Sequence, residues 1–134
     1  MKIFRLDHLV LTVQRIEATV QFYSDVLGMK KETFGRGRTA LKFGRQKINL
    51  HQAGRECEPK AAKPTPGSAD LCFISEVPLN QAMEHVRRKG ISIIEGPVTR
   101  TGATGPINSF YIRDPDLNLI EISTYKEEKK NDQG

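Results

Sequence analysis

The chain repeats itself, and the repeat limits what it can fold into. Phe4 to Val13 alternates like a strand, Arg15 to Leu27 carries Ile16, Val20, Tyr23 and Leu27 on one helical stripe, and Gly28 follows. Ala69 to Ser75 alternates again, Leu79 to Lys89 carries Leu79, Ala82, Met83 and Val86 on one stripe, and Gly90 follows. His8 to Asp70 and Gly28 to Gly90 are both separations of 62 residues. A glycine just past a helix supplies the positive φ that ends it. Three strand-like runs come after each glycine: Lys31 to Arg36, Thr39 to Phe43 and Lys47 to Gln52, then Ile91 to Glu95, Ile107 to Arg113 and Leu119 to Thr124. The last runs match as Ile48-Asn49-Leu50 and Ile120-Glu121-Ile122, now 72 apart, the extra residues falling in a loop from Gly96 to Pro106 and a turn at Asp114. The predicted fold is α+β, two βαβββ modules in one domain over residues 1–125: module one 3–53, a linker 54–67 with three prolines, and module two 68–125. Residues 126–134 hold three positive and three negative side chains and no apolar one, which predicts a disordered tail.

Composition removes several classes of function. With 134 residues the chain is one domain's worth and needs no disulfide or structural metal to fold. Net charge is +5, and Arg36, Arg38, Lys42, Arg45 and Lys47 form a loose basic stretch. Acidic residues interrupt the rest, and Trp is missing, so no aromatic and basic platform for nucleic acid forms. No run approaches the ~20 apolar residues of a membrane span. Met1 to Arg5 lacks the apolar core of a secretion signal, which predicts a cytoplasmic protein. Cys57 and Cys72 make neither a CxxC pair nor a zinc spacing, and are expected to be free thiols, Cys72 as a small buried residue.

Alternation sorts the strands into two faces. Leu9, Leu11 and Val13, Ile48 and Leu50, Leu71 and Phe73, and Ile120 and Ile122 form apolar faces that the helices cover. His8, Asn49, His51, Asp70 and Glu121 fall on the opposite faces. Glu121 stands between apolar neighbours, and a carboxylate there must find a cation or donors. If the two halves pack side by side, His8, Asp70 and Glu121 converge, joined by Asn49 or His51. Imidazole and carboxylates from separate strands suit Zn²⁺, Mn²⁺, Ni²⁺ or Fe²⁺ with open water positions.

The run Asp7-His8-Leu9-Val10-Leu11-Thr12-Val13, then Phe22-Tyr23, Leu27-Gly28-Met29 and the closing stretch Tyr111 to Glu121 with its Asp114-Pro115-Asp116 turn, resembles the vicinal-oxygen-chelate superfamily of glyoxalases, bleomycin-resistance proteins and dioxygenases. Within it, the sequence is most similar to glyoxalase domain-containing protein 5 and its bacterial relatives. The resemblance implies a cupped mixed sheet around a divalent metal, with ligands from the first and last strand of each module: His8, Asn49, Asp70 and Glu121, or His51 in place of Asn49. Glyoxalase I carries Glu where Asn49 stands and commonly His or Gln where Asp70 stands. Its glutathione-binding Arg, four residues after the first ligand, is Thr12 here.

The activity this implies is that of a lyase or isomerase on a small α-oxygenated carbonyl compound or its thiol adduct. Glu121 would be ligand and proton shuttle, His8 and Asp70 would hold the metal, and Asn49 would contact substrate. Arg38, Lys47 and Arg100 would attract an anionic substrate, with the loop from Arg100 to Asn108 closing over it. The rivals are an extradiol-type dioxygenase, which needs two His and one carboxylate on Fe²⁺ and so recruits His51, and a metal-free protein that sequesters a drug or metabolite. The expected partners are a small-molecule substrate and a second copy in a homodimer.

Overall fold

The computed structural model describes residues 1–126; the tail expected over 126–134 lies outside them, save Lys126. The chain divides into two compact units, the first holding 1–69 and 114–118, the second 70–113 and the residues from 119 on. The seam after Ala69 falls close to the predicted start of module two. The turn 114–118 is counted with the first unit, although the strands on either side belong to the second.

The first unit runs β1 (His8–Val13), α1 (Ile16–Asp25), β2 (Lys30–Phe34), β3 (Arg38–Phe43) and β4 (Gln46–Gln52). Its sheet has the order β1-β4-β3-β2, with β1 parallel to β4 and the other pairs antiparallel. The second unit runs β5 (Asp70–Ile74), α2 (Leu79–Arg88), β6 (Glu95–Gly102), β7 (Gly105–Arg113) and β8 (Leu119–Tyr125). Its sheet has the same plan, β5-β8-β7-β6, with β5 parallel to β8. Two βαβββ modules therefore form two four-stranded mixed sheets, as the repeat predicts.

Each sheet buries the face that alternation assigns. In the first unit Val13, Leu41 and Ile48 are fully buried and Leu11 and Leu50 nearly so, beneath α1 with its buried Thr19 and Tyr23. In the second, Phe110, Ile112 and Ile120 are fully buried beneath Ala82, Met83 and Val86 of α2. Each such side chain contributes about 1.5–3 kcal/mol on leaving water. Neither helix has a side-chain N-cap bond, so packing, more than capping, sustains them. Both predicted glycines end their helices at positive φ, Gly28 at 70° and Gly90 at 78°.

Three expectations need correction. The first strand begins at His8 and not at Phe4, because residues 1–7 pair with no strand and Ile3, Phe4 and Leu6 are exposed. Ile91 to Glu95 is not a strand; β6 occupies Glu95 to Gly102, where a loop was expected from Gly96. Gly96 and Pro97 read as loop residues, yet they form a bulge between Glu95 and Val98, after which Val98 to Gly102 pair regularly with β7. The stretch from Arg100 to Asn108, expected as a loop, is a hairpin, with Arg100 paired to Ile107 and Thr99 to Asn108. No described helix is long and apolar enough to cross a membrane.

Candidate functional site

The register of each sheet places the candidate residues. In the first unit His8 is level with Lys47, Val10 with Asn49, and Thr12 with His51. Asn49 thus sits one strand over and two residues along from His8. His51 is four residues along, ~13 Å at ~3.3 Å per residue. In the second unit Asp70 is level with Leu119 and Cys72 with Glu121. Glu121 therefore stands to Asp70 as Asn49 stands to His8. The repeat makes Asn49 the counterpart of Glu121, and His51 the counterpart of Ser123.

His8 is partly exposed, and its Nδ1 lies 2.8 Å from Asp7 Oδ2. That contact is the first cause holding the Asp7 carboxyl below its ordinary value, with the His8 and Arg5 charges adding to it. An imidazole bonded through Nδ1 to a carboxylate presents Nε2 outward, the arrangement that orients a metal-binding histidine. Asn49 and His51 are almost completely buried, 5% and 6% exposed. Asn49 Oδ1 and His51 Nε2 nevertheless have no hydrogen-bond partner. Beside His51 lies a groove of ≈ 600 Å³ lined also by Thr12, Lys60, Lys63, Thr65 and Asn118.

Arg38 and Lys47 are not free cations. Arg38 Cζ lies 4.8 Å and Lys47 Nζ 4.0 Å from the centre of the Phe34 ring. Arg100 Nε donates to Tyr111 Oη at 3.0 Å and Nη2 to Glu95 Oε1 at 3.3 Å, and Tyr111 and Glu95 raise its pKa further.

Glu121 is half-buried and accepts hydrogen bonds on Oε2 from Ser109 Oγ at 2.6 Å and Ser123 Oγ at 3.4 Å. Asp70 is exposed. Cys57 and Cys72 are free, as expected, but Cys72 is exposed where burial was predicted. Its outward side chain belongs to the polar face of β5, so strand parity already opposed a core position. Its thiol pKa is raised by desolvation above all, then by the neighbouring carboxylates of Glu121 and Asp70 against the Ser123 hydrogen bond. Among the described residues, no three His, Cys, Asp or Glu side chains are grouped closely enough to hold a metal ion.

Sequence reasoning missed Ser109 and Ser123, whose partnership depends on a β7–β8 register that composition does not encode. It also passed over Asp114, read only as a turn residue. Asp114 is 3% exposed and accepts from Tyr23 Oη at 2.7 Å, from the Asp116 and Asn118 backbone N–H groups and from Asn118 Nδ2. Four donors on one buried carboxylate make the turn a structural knot within the first unit.

The chain matches the family described as the Glyoxalase/Bleomycin resistance protein/Dioxygenase superfamily over residues 5–122. It is 62% identical over 125 residues to Virulence protein STM3117 of Salmonella typhimurium, covering 93% of this chain and 87% of that protein. The crystal structure of that protein has a TM-score of 0.93 with this one, covering 94% of this chain and all of the other. Glyoxalase domain-containing protein RDO1 of Mycosarcoma maydis is 56% identical over 124 residues, 92% of this chain and 70% of that protein. The integron cassette protein VCH_CASS1 from V. cholerae is 63% identical with a TM-score of 0.93, covering 94% of this chain and 98% of that one. These similarities support the superfamily, and not glyoxalase domain-containing protein 5 in particular.

Proposed function

The chain belongs to the Glyoxalase/Bleomycin resistance protein/Dioxygenase superfamily, and from that premise we propose that it is a metal-dependent, glyoxalase-like lyase or isomerase acting on a small α-oxygenated carbonyl compound or its thiol adduct. The observation that carries this reading is the pair of orphaned atoms on β4, Asn49 Oδ1 and His51 Nε2. A buried polar group without a partner costs about 1–3 kcal/mol. Two of them side by side on one sheet face mark a surface that a ligand completes.

Imidazole and carboxylate are the donor types that a divalent cation such as Zn²⁺, Ni²⁺, Mn²⁺ or Fe²⁺ takes, while no three of them are grouped among the described residues. His8, Asp70 and Glu121 would hold it: an imidazole oriented by Asp7, and two carboxylates on one face of the second sheet. Bound there, the cation would polarise two adjacent substrate oxygens as a Lewis acid. Glu121 takes the proton from the carbon beside the substrate carbonyl and returns it to the neighbouring carbon. Asn49 bonds a substrate oxygen, and Arg38, Lys47 and Arg100 attract an anionic substrate. His51, ~13 Å along the strands from the level of His8, faces substrate in this reading and is not a ligand. The same spacing weighs against the dioxygenase reading, which needs both histidines on one iron. The partner is a small molecule, and the working form is a cytoplasmic homodimer.

A metal-free binding protein is favoured by one observation, that no three ligating side chains are grouped among the described residues. Metal content separates the two readings. Protein loaded with Ni²⁺, Mn²⁺, Zn²⁺ or Fe²⁺ and then desalted should retain about one ion per chain, and His8→Ala and Glu121→Ala should retain about a tenth of that or less. Turnover of methylglyoxal with a thiol should follow metal content. Wild type that retains no ion sinks the enzyme reading in favour of the binding protein, and oxygen uptake with a catechol would favour the dioxygenase.

A further inference from the structure

We infer that the groove beside His51 binds a small organic acid, with its carboxylate or phosphate head group held by Thr12, His51 and Lys63 and its apolar body along Val10, Pro59 and Pro64. This rests on the reading that His51 faces substrate and gives the ligand its chemical class. It needs no metal, and so applies equally to a lyase and to a metal-free binding protein.

The groove lies wholly within the first unit, lined by β1, β4, the linker and the turn 114–118. Its ≈ 600 Å³ is the size of a small-molecule site. Two lysines line it and no Asp or Glu does, so its field favours an anion. Most of its polar side chains are already engaged. Lys60 Nζ is paired with Glu58 Oε1 at 3.1 Å. Thr65 Oγ1 donates to the Lys63 carbonyl at 3.0 Å, and Ser68 Oγ to the Thr65 carbonyl at 2.8 Å. Asn118 Oδ1 accepts from the Ala69 N–H, and its Nδ2 donates to Asp114. The side chains left without a partner among the described residues are Thr12, His51 and Lys63.

The register brings two of these three together. Thr12 and His51 are level on neighbouring parallel strands, which sets them on one face about 4.8 Å apart. His51 is 6% exposed and its Nε2 is buried with nothing bonded to it. With the proton on Nε2 the ring donates, as does the Thr12 hydroxyl, and Lys63 adds a positive charge at the rim. Two donors side by side match two oxygens of one carboxylate or phosphate. A neutral alcohol offers one oxygen and no charge. Because water does not compete at a buried atom, the bond to His51 should dominate.

The full chain, kept in EDTA so that no metal contributes, is titrated with benzoate, with phenyl phosphate and with benzyl alcohol, and followed by NMR. Both acids should saturate and shift the signals of Thr12, His51 and Lys63, and benzyl alcohol should bind at least about tenfold more weakly. His51→Phe should weaken the acids about tenfold or more, and Thr12→Val about three- to tenfold. Lys63→Ala should weaken them about two- to threefold, an effect that shrinks as salt rises, and Lys89→Ala in the second unit should change nothing. Thr12→Val and Lys63→Ala alter side chains that are not buried, so the test does not depend on whether His51→Phe folds. No saturation by either acid, shifts confined to residues outside the groove, equal binding of benzyl alcohol, or wild-type affinity in both Thr12→Val and Lys63→Ala overturns the inference; metal content and turnover then still judge the enzyme reading. Acid binding by a protein that retains no metal supports the inference while the enzyme reading falls.

Discussion

At equivalent places in the two sheets, the same architecture treats polar side chains in opposite ways. Glu121 and Ser123 of the second unit are wired together through Ser109. Asn49 and His51, their counterparts in the first unit, are buried and bonded to nothing through Asn49 Oδ1 and His51 Nε2. The other buried orphans among the described residues, Glu56 Oε2 and Asp116 Oδ2, also belong to the first unit. Yet that unit contains the most fully satisfied carboxylate described, Asp114. The apolar faces follow the repeat closely, and the polar faces have diverged. The difference teaches that one sheet plan can supply partners for its polar face on β8 and leave them out on β4.

Substitutions that change the partnering test this directly. The largest effect should come from Asp114→Ala, which strands the Tyr23 hydroxyl, the Asn118 amide and two backbone N–H groups; urea unfolding should show a loss of about 3–5 kcal/mol. Tyr23→Phe removes one of those bonds and should cost about 1–2 kcal/mol. It should also change the response to alkali. Burial first, and Asp114 second, raise the Tyr23 phenol well above its ordinary value. The folded state therefore holds that proton more tightly than the unfolded state. The resulting stability is fully present below about pH 10 and declines as pH rises further, by about 1.4 kcal/mol per unit, whereas Tyr23→Phe should lack this decline.

The sharpest contrast sets one polar-to-apolar change against another. Ser109→Ala should destabilise by about 1–2 kcal/mol, because it unwires Glu121. Asn49→Leu should stabilise the ligand-free protein by about 1 kcal/mol while weakening ligand binding. If both changes shift the urea midpoint in the same direction, the distinction between the two sheets fails. The smallest effect concerns Leu117, held at φ 69° in the Asp114 turn. Leu117→Gly relieves that conformation but adds freedom to the unfolded chain, so its net gain should stay below about 0.5 kcal/mol in the same assay.

The sequence reveals the modules, their helices and the apolar faces because an offset of 62 residues preserves strand parity and both helix-ending glycines. It placed His8, Asn49, Asp70 and Glu121 on their faces for the same reason. It left Asn49 and His51 tied as candidates, since both point the same way, and the β1–β4 register separates them. β6 was hidden because Gly96 and Pro97 carry a turn's composition in a bulged strand. The Ser109 network was hidden because serines have no periodic signature; only a cross-strand partner gives them a role.

Gly96 sits at that bulge with φ 129°, and a Cβ built on it would come within 2.6 Å of Phe110 Cβ and 2.8 Å of the Ser109 carbonyl oxygen. Any side chain there would push against the backbone that carries the Ser109 hydroxyl. A random mutagenesis screen would therefore score position 96 as intolerant, and an observer without coordinates would credit a residue that has no side chain with a role of its own, when the intolerance comes from the crowding of its neighbours.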